Sequence, residues 1–130
     1  MRARGHFDVT LVPQAQAEGV GDPSIGRMSI AKRFHGELDA TSLGEMLVYR
    51  SEIKGSAGYV AMERVTGTLA GRHGHFTLQH SGSMARGVPG LMLTVVADSA
   101  TEELMGLTGA MTIEIIDGQH DYQLDYQLPA

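Results

Sequence analysis

Residues 59–83, YVAMERVTGTLAGRHGHFTLQHSGS, decide the fold. Successive side chains of a strand point to opposite faces of its sheet. From Tyr59 to Leu69, one face carries Tyr59, Ala61, Glu63, Val65, Gly67 and Leu69; the other carries Val60, Met62, Arg64, Thr66 and Thr68. Beyond Ala70-Gly71-Arg72-His73-Gly74, the set Phe76, Leu78, His80 and Gly82 alternates with His75, Thr77, Gln79 and Ser81. Glycine supplies positive φ at little cost, so this break reads as the turn of an antiparallel hairpin. Setting Leu69 opposite Gly74 pairs Gly67 with Phe76, Val65 with Leu78, and Glu63 with His80. A slip of one residue would mix the apolar face with the polar one. A Phe76 ring covering the strand glycine Gly67 suits the same register. The expected product is a carboxylate beside an imidazole on an otherwise apolar surface.

The rest of the chain repeats this pattern. Phe7, Val9 and Leu11 alternate with His6, Asp8 and Thr10, and Pro13 closes that strand. Gln14 to Ser24 is a polar, glycine-containing loop. Ile25 to Leu38 reads as a second strand with Met28, Ile30 and Phe34 on its apolar side; Thr41 to Ile53 reads as a third. Ala85 to Pro89 is a turn, followed from Gly90 to Ala97 by a strand that is apolar on both faces. Such a strand needs cover on both sides, which points to self-association. Asp98 to Leu107 suits one helical turn. Thr108 to Asp117 and Gln119 to Leu128 are strands joined by the hairpin signal Asp117-Gly118. Eight strand-like runs with short connections and no long helical period predict an all-β fold. The candidates are a closed eight-stranded antiparallel barrel and a two-sheet sandwich. Closure is favoured because it removes the edges, and an eight-stranded interior is either filled or able to hold one small ligand.

Composition narrows the function. The chain has 130 residues, the size of one domain (1–130), and its 17 glycines suit many turns and kinks. A net charge of −5 with scattered basic residues argues against a nucleic-acid partner. The absence of cysteine excludes disulfides, zinc-thiolate sites and thiol nucleophiles. No apolar run approaches a bilayer span and the start lacks a signal-peptide core, so the expectation is a cytoplasmic protein with no membrane partner. No glycine-rich segment has the context of a phosphate loop, and there is no serine nucleophile elbow.

The segments FDVTLV, ERVTGTL, GRHGHFTLQHSG, ELMGLTGAM and YQLDYQL resemble, in that order, a bacterial family of small domains of unknown function. The resemblance runs nearly end to end and is most specific in Glu63–Thr68 and Phe76–Gly82. It implies an allene oxide cyclase-like, calycin-like barrel with a central cavity, and a homo-oligomer. It brings no assigned activity. His73, where a small residue is more usual, departs from the pattern; the methionines Met84, Met92 and Met105 are not explained by it.

Glu63 and His80 are the candidate catalytic pair. A carboxylate drawn into a barrel is pushed up in pKa, an adjacent imidazole opposes that, and together they suit general acid–base work. The plainer alternative is a buried polar pair that satisfies its own hydrogen bonds. Tyr59, Phe76, Leu78 and Tyr122 are the candidate ligand-binding residues. His73 and His75 share a strand face as neighbouring metal ligands do, but His80 has the opposite parity and no Asp or Glu follows at a useful spacing, so no metal is expected. No cofactor is expected either. The reading is therefore a barrel that binds a small, largely apolar molecule. A cyclase or isomerase using Glu63 and His80 is one alternative, and a packed oligomerising barrel is the other.

Overall fold

The computed structural model describes residues 1–130, and eight strands account for most of them. They are β1 (Arg2–Gln14), β2 (Ile25–Gly36), β3 (Leu38–Arg50), β4 (Ala57–Leu69), β5 (Arg72–Ala85), β6 (Val88–Val95), β7 (Thr108–Ile116) and β8 (Gln119–Gln127). Each pairs antiparallel with the next and β8 closes onto β1, giving a closed barrel in chain order. The only helical element is a 3₁₀ turn, Glu102–Leu104, between β6 and β7. No helix is long and apolar enough to cross a membrane.

The alternation read from the sequence is the inside and outside of this barrel. Phe34, Leu38, Val65, Leu69, Phe76, Leu78, Leu93 and Leu124 are buried, while Val60, Met62, Leu43 and Met92 face out. The chain leaves one end of the barrel through β1–β2, β3–β4, β5–β6 and β7–β8, and the other through β2–β3, β4–β5 and β6–β7. That second end is sealed. Leu104 and Leu107 of the β6–β7 connection join the core there. Tyr122 accepts a hydrogen bond from Leu38 N (3.0 Å) and lies 2.9 Å from His35 O, pinning β8 to the β2–β3 turn. Gly5 and Gly36 make room for it, since a Cβ on either would collide with backbone and crowd its hydroxyl.

The central hairpin corrects the expected register. Leu69 pairs with Arg72, Gly67 with Gly74, Val65 with Phe76, Glu63 with Leu78, and Ala61 with His80. The shift is two residues from the expected ladder, so every side chain keeps its face. The cause is the turn, which uses only Ala70 and Gly71, at φ 49° and 83°. Two consecutive residues with positive φ match the right-handed twist of the strands, and alanine is an unusual first member. The ring-over-glycine pairing is real but sits elsewhere: Tyr59 is opposite Gly82, where a Cβ would fall 2.1 Å from the ring.

Boundaries move for similar reasons. Pro13 lies inside β1, one residue from its end, where no ladder N–H is needed. β2 stops at Gly36 and β3 begins at Leu38, so Leu38 opens the third strand instead of closing the second. The β5–β6 turn is Arg86-Gly87, again with both φ positive, which leaves Pro89 within β6.

β6 is short, and the chain after it completes the wall. Its pairing with β5 covers residues 78–85 only. For the remainder of β5 the connection takes over: Val96 N donates to Thr77 O (2.9 Å) and Thr101 N to His75 O (2.9 Å). Thr77 N donates to Ser99 Oγ and His75 N to Thr101 Oγ1. Arg64, on the outer face as expected, reaches across β5 to Thr77 Oγ1 and Ser99 O. A buried strand needs its backbone groups paired, and side chains of the connection supply what the absent strand does not.

The alanine turn yields a prediction. Replacing Ala70 by Asn, which tolerates the left-handed region, raises stability by about 1 kcal/mol. A higher urea midpoint with an unchanged m-value shows it; a lower midpoint contradicts the turn assignment.

Candidate functional site

Four inward-facing side chains meet in one layer across β2, β3, β4 and β5. Glu63 is at the centre, with its side chain wholly inaccessible to solvent. Ser42 Oγ donates to its Oε1 at 2.7 Å, and Lys32 Nζ donates to its Oε2 at 2.8 Å. His80 Nε2 lies 2.5 Å from the same Oε2. An ionised carboxylate only accepts, so the proton of that contact belongs to His80 Nε2. Lys32 and His80 are themselves buried, and no buried side-chain nitrogen or oxygen lacks a partner.

The strand register brings these groups together. Lys32 is directly opposite Ser42 on β3. Glu63 is opposite Gly44, whose missing side chain is required: a Cβ there would fall 2.7 Å from the Glu63 Cα. His80, opposite Ala61, reaches the Glu63 carboxylate along the diagonal. The Lys32 ammonium also lies 4.6 Å from the centre of the Phe7 ring, a cation–π contact in a site where water is excluded.

The electrostatics follow from this geometry. Burial pushes the Glu63 carboxyl up, but the His80 hydrogen bond, the charge of Lys32 and the Lys32 hydrogen bond outweigh it and hold the pKa down to about 2. Opposite charge and donated hydrogen bonds both favour the ionised form. Glu63 is therefore a carboxylate at neutral pH, with its lone pairs engaged by three donors.

Above this layer the barrel is open. Tyr59, Met28, Met46, Val48, Met84 and Leu91 line most of a pocket of about 390 Å³ at the end where β1–β2, β3–β4 and β5–β6 turn. Its polar groups are few. Arg50, Ser83 and Tyr59 stand on its wall, and the Tyr59 hydroxyl makes no hydrogen bond within the protein. Burial raises the Tyr59 pKa, and the Glu63 charge adds to the effect, so the phenol remains a neutral donor. Along their strands the buried Ile30 and Ala61 fall between the pocket residues Met28 and Tyr59 and the layer residues Lys32 and Glu63, while the Tyr59 ring lies 6.2 Å from the His80 ring. Below the layer the interior holds a continuous cluster of buried apolar side chains, among them Phe34, Phe76, Leu78 and Leu124.

A family model described as "Protein of unknown function (DUF3224)" matches residues 3–126. The chain belongs to the DUF3224 family. A crystal structure of a DUF3224 protein of unknown function from Shewanella oneidensis MR-1 is 46% identical to it, with a TM-score of 0.92, covering 100% of this chain and 98% of that one. Among curated proteins no sequence matches. The resemblance read from the motifs thus names the right kind of family, one of small barrel domains described as of unknown function.

Within this DUF3224 barrel, Glu63 and His80 are inside and in contact, as their parity requires. Of the residues expected to line a ligand, only Tyr59 reaches the pocket. Phe76 and Leu78 lie below the ionic layer in the solid core, and Tyr122 is committed to the sealed end. They point inward as expected, but the layer of Glu63 and its partners stands between them and the opening. Sequence reasoning missed Lys32 and Ser42. The signal was present: Lys32 has the parity of Met28, Ile30 and Phe34, a charge on an apolar face that needs a buried counter-charge.

The layer predicts a definite acid response. Glu63 has a folded-state pKa below its ordinary value of 4.5, so its contribution is complete above that value and lost as pH falls towards about 2. Glu63→Gln leaves Lys32 buried without its counter-charge and costs about 3–5 kcal/mol at neutral pH. Denaturant melts at a series of pH values show the gap between the two proteins closing as pH falls through that window. A gap independent of pH contradicts the arrangement.

Proposed function

We propose that this DUF3224 barrel binds a small, largely apolar molecule in its open mouth, with one polar end of the ligand directed at Tyr59 and Arg50. The observation that carries this reading is the pocket itself: about 390 Å³, walled mainly by Leu11, Met28, Met46, Val48, Met84 and Leu91. Ligand sites combine apolar walls with a few orienting polar groups, and this volume is within their usual range. Five of the lining side chains named here are methionine or leucine, whose flexible, polarisable surface adapts to an apolar guest. The ionic layer serves as a rigid floor, because each of its members is held by another.

The alternative in which Glu63 and His80 move protons gains no support from the geometry. A carboxylate with a pKa of about 2, its oxygens held by Lys32, Ser42 and His80, is a weak base at neutral pH. A second copy of the chain remains the proposed partner. Leu43 and Leu47 of β3, Val60 and Met62 of β4, and Met92 of β6 are exposed on the outer wall, where such a copy would find apolar surface.

Native mass spectrometry of freshly purified protein tests both parts, since it reports bound small molecules and subunit number together. Affinity is then measured by fluorescence with 1-aminoanthracene, a small apolar probe. Leu91→Trp, which fills the mouth from an already half-exposed position, weakens probe binding at least about tenfold while leaving the melting temperature close to wild type. Equal binding by wild type and Leu91→Trp would overturn the assignment of the pocket.

A further inference from the structure

We propose that His73, His75 and Glu102 form a divalent transition-metal site on the outer wall of the barrel, which ties the β6–β7 connection to β5. The sequence reading expects no metal because no carboxylate follows the two histidines closely. The fold brings one from the far side of β6. Glu102 begins the 3₁₀ turn, and its Oε2 lies 3.4 Å from His75 Nε2 and 3.7 Å from His73 Nε2. One ligand atom from each residue falls within 4.8 Å of the other two.

These spacings suit a metal. Two donors bound at about 2.0–2.1 Å with a tetrahedral angle between them stand roughly 3.3–3.4 Å apart. Both carboxylate–imidazole distances are close to that edge. The longer separation closes by modest rotation of side chains that are exposed or half-exposed and free to turn. Two imidazoles with one carboxylate select borderline ions such as Zn²⁺ or Co²⁺ over Ca²⁺ and Mg²⁺, which prefer all-oxygen shells. A fourth position is left open to solvent.

Three features prepare the cluster. His73 and His75 have the same parity on β5, so both rings rise from the outer face; the rings stand 5.9 Å apart, edge to face. Thr66 Oγ1, opposite on β4, lies 2.8 Å from His75 Nδ1. Donation from Nδ1 to that hydroxyl leaves the Nε2 lone pair facing Glu102, the usual way in which an outer partner fixes the tautomer of a ligating histidine. Glu102 itself has φ 57°, a conformation glycine or asparagine would adopt at less cost. With that backbone its carboxylate returns over β5, while the neighbouring Glu103 Oε1 accepts from His73 N at 3.0 Å.

The location gives the site a purpose. Along this part of β5 the wall is completed by the connection, through hydrogen bonds of Ser99, Thr101 and Glu103, in place of a strand. β6 meets β7 through the single register pair Thr94–Ala110, the weakest seam of the barrel. A metal held jointly by β5 and Glu102 would fasten the connection that bridges that seam. The other histidine pair does not compete: the His6 and His35 rings are stacked at 4.7 Å, so their lone pairs do not converge.

Untagged protein titrated with Co²⁺, followed by visible absorption, tests the site, and melting with and without Zn²⁺ tests the clamp. The expected result is one equivalent of Co²⁺ bound in a low-symmetry environment, weakened at least about tenfold by Glu102→Gln or His75→Ala, and about tenfold by Thr66→Val. His35→Ala leaves binding unchanged. Zn²⁺ raises the melting temperature of the wild type but not of Glu102→Gln, as expected of an ion that binds only the folded chain. The substituted side chains are exposed or half-exposed, and far-UV circular dichroism of each variant confirms that it folds. No stoichiometric uptake, or uptake that survives both Glu102→Gln and His75→Ala, overturns the site. Uptake with no Zn²⁺-dependent rise in melting temperature overturns the clamp.

Discussion

A carboxylate without access to water must find its compensation inside the protein, and this barrel is arranged around that requirement. Glu63 lies where strands from two hairpins converge, and isolating its charge there would cost far more than the whole fold can offer. Lys32 supplies the opposite charge, while Ser42 and His80 supply the remaining donors. Because these groups come from four consecutive strands, their hydrogen bonds also fix how those strands are staggered. A slip in any of the ladders would separate Glu63 from one of its donors, so the layer favours the observed register alongside the apolar core.

The same layer divides the interior. Towards the sealed end, aromatic and leucine side chains fill the space, closed by the Tyr122 hydroxyl and by Leu104 and Leu107. Towards the open end, methionine, leucine and Tyr59 line a space that is not filled. A barrel packed throughout would need no ionised floor. A barrel hollow throughout would expose Glu63 and Lys32 to water and weaken their attraction. Solid base, ionic floor and open mouth are thus parts of one solution, and they explain how a chain of this size keeps both a core and a cavity.

Much of this was legible in the sequence because strand alternation is a period of two, and parity survives errors in turn length. That is why Glu63 and His80 are correctly placed inside although the hairpin register is shifted by two. Ala70-Gly71 hid the shift, since alanine carries no signal for a left-handed turn position. Lys32 was readable as a charge on an apolar face, but its partner on β4 becomes visible only when β2, β3 and β4 are laid side by side. Glu102 was out of reach for the same reason. Its meeting with His73 and His75 depends on a connection that folds back along β5, and no local spacing announces it. Phe76, Leu78 and Tyr122 show the limit of parity: it tells inside from outside but not which part of the inside is open.

The most direct measurement is the ionisation of Glu63 in the folded protein, followed by its side-chain carboxyl ¹³C resonance against pH. The account predicts a resonance that stays in the ionised position through the ordinary glutamate range near 4.5 and moves only as pH approaches about 2, or as the protein unfolds. A midpoint at or above the ordinary value would mean that burial outweighs Lys32 and His80, and the barrel would then lack the ionised floor on which its open mouth depends.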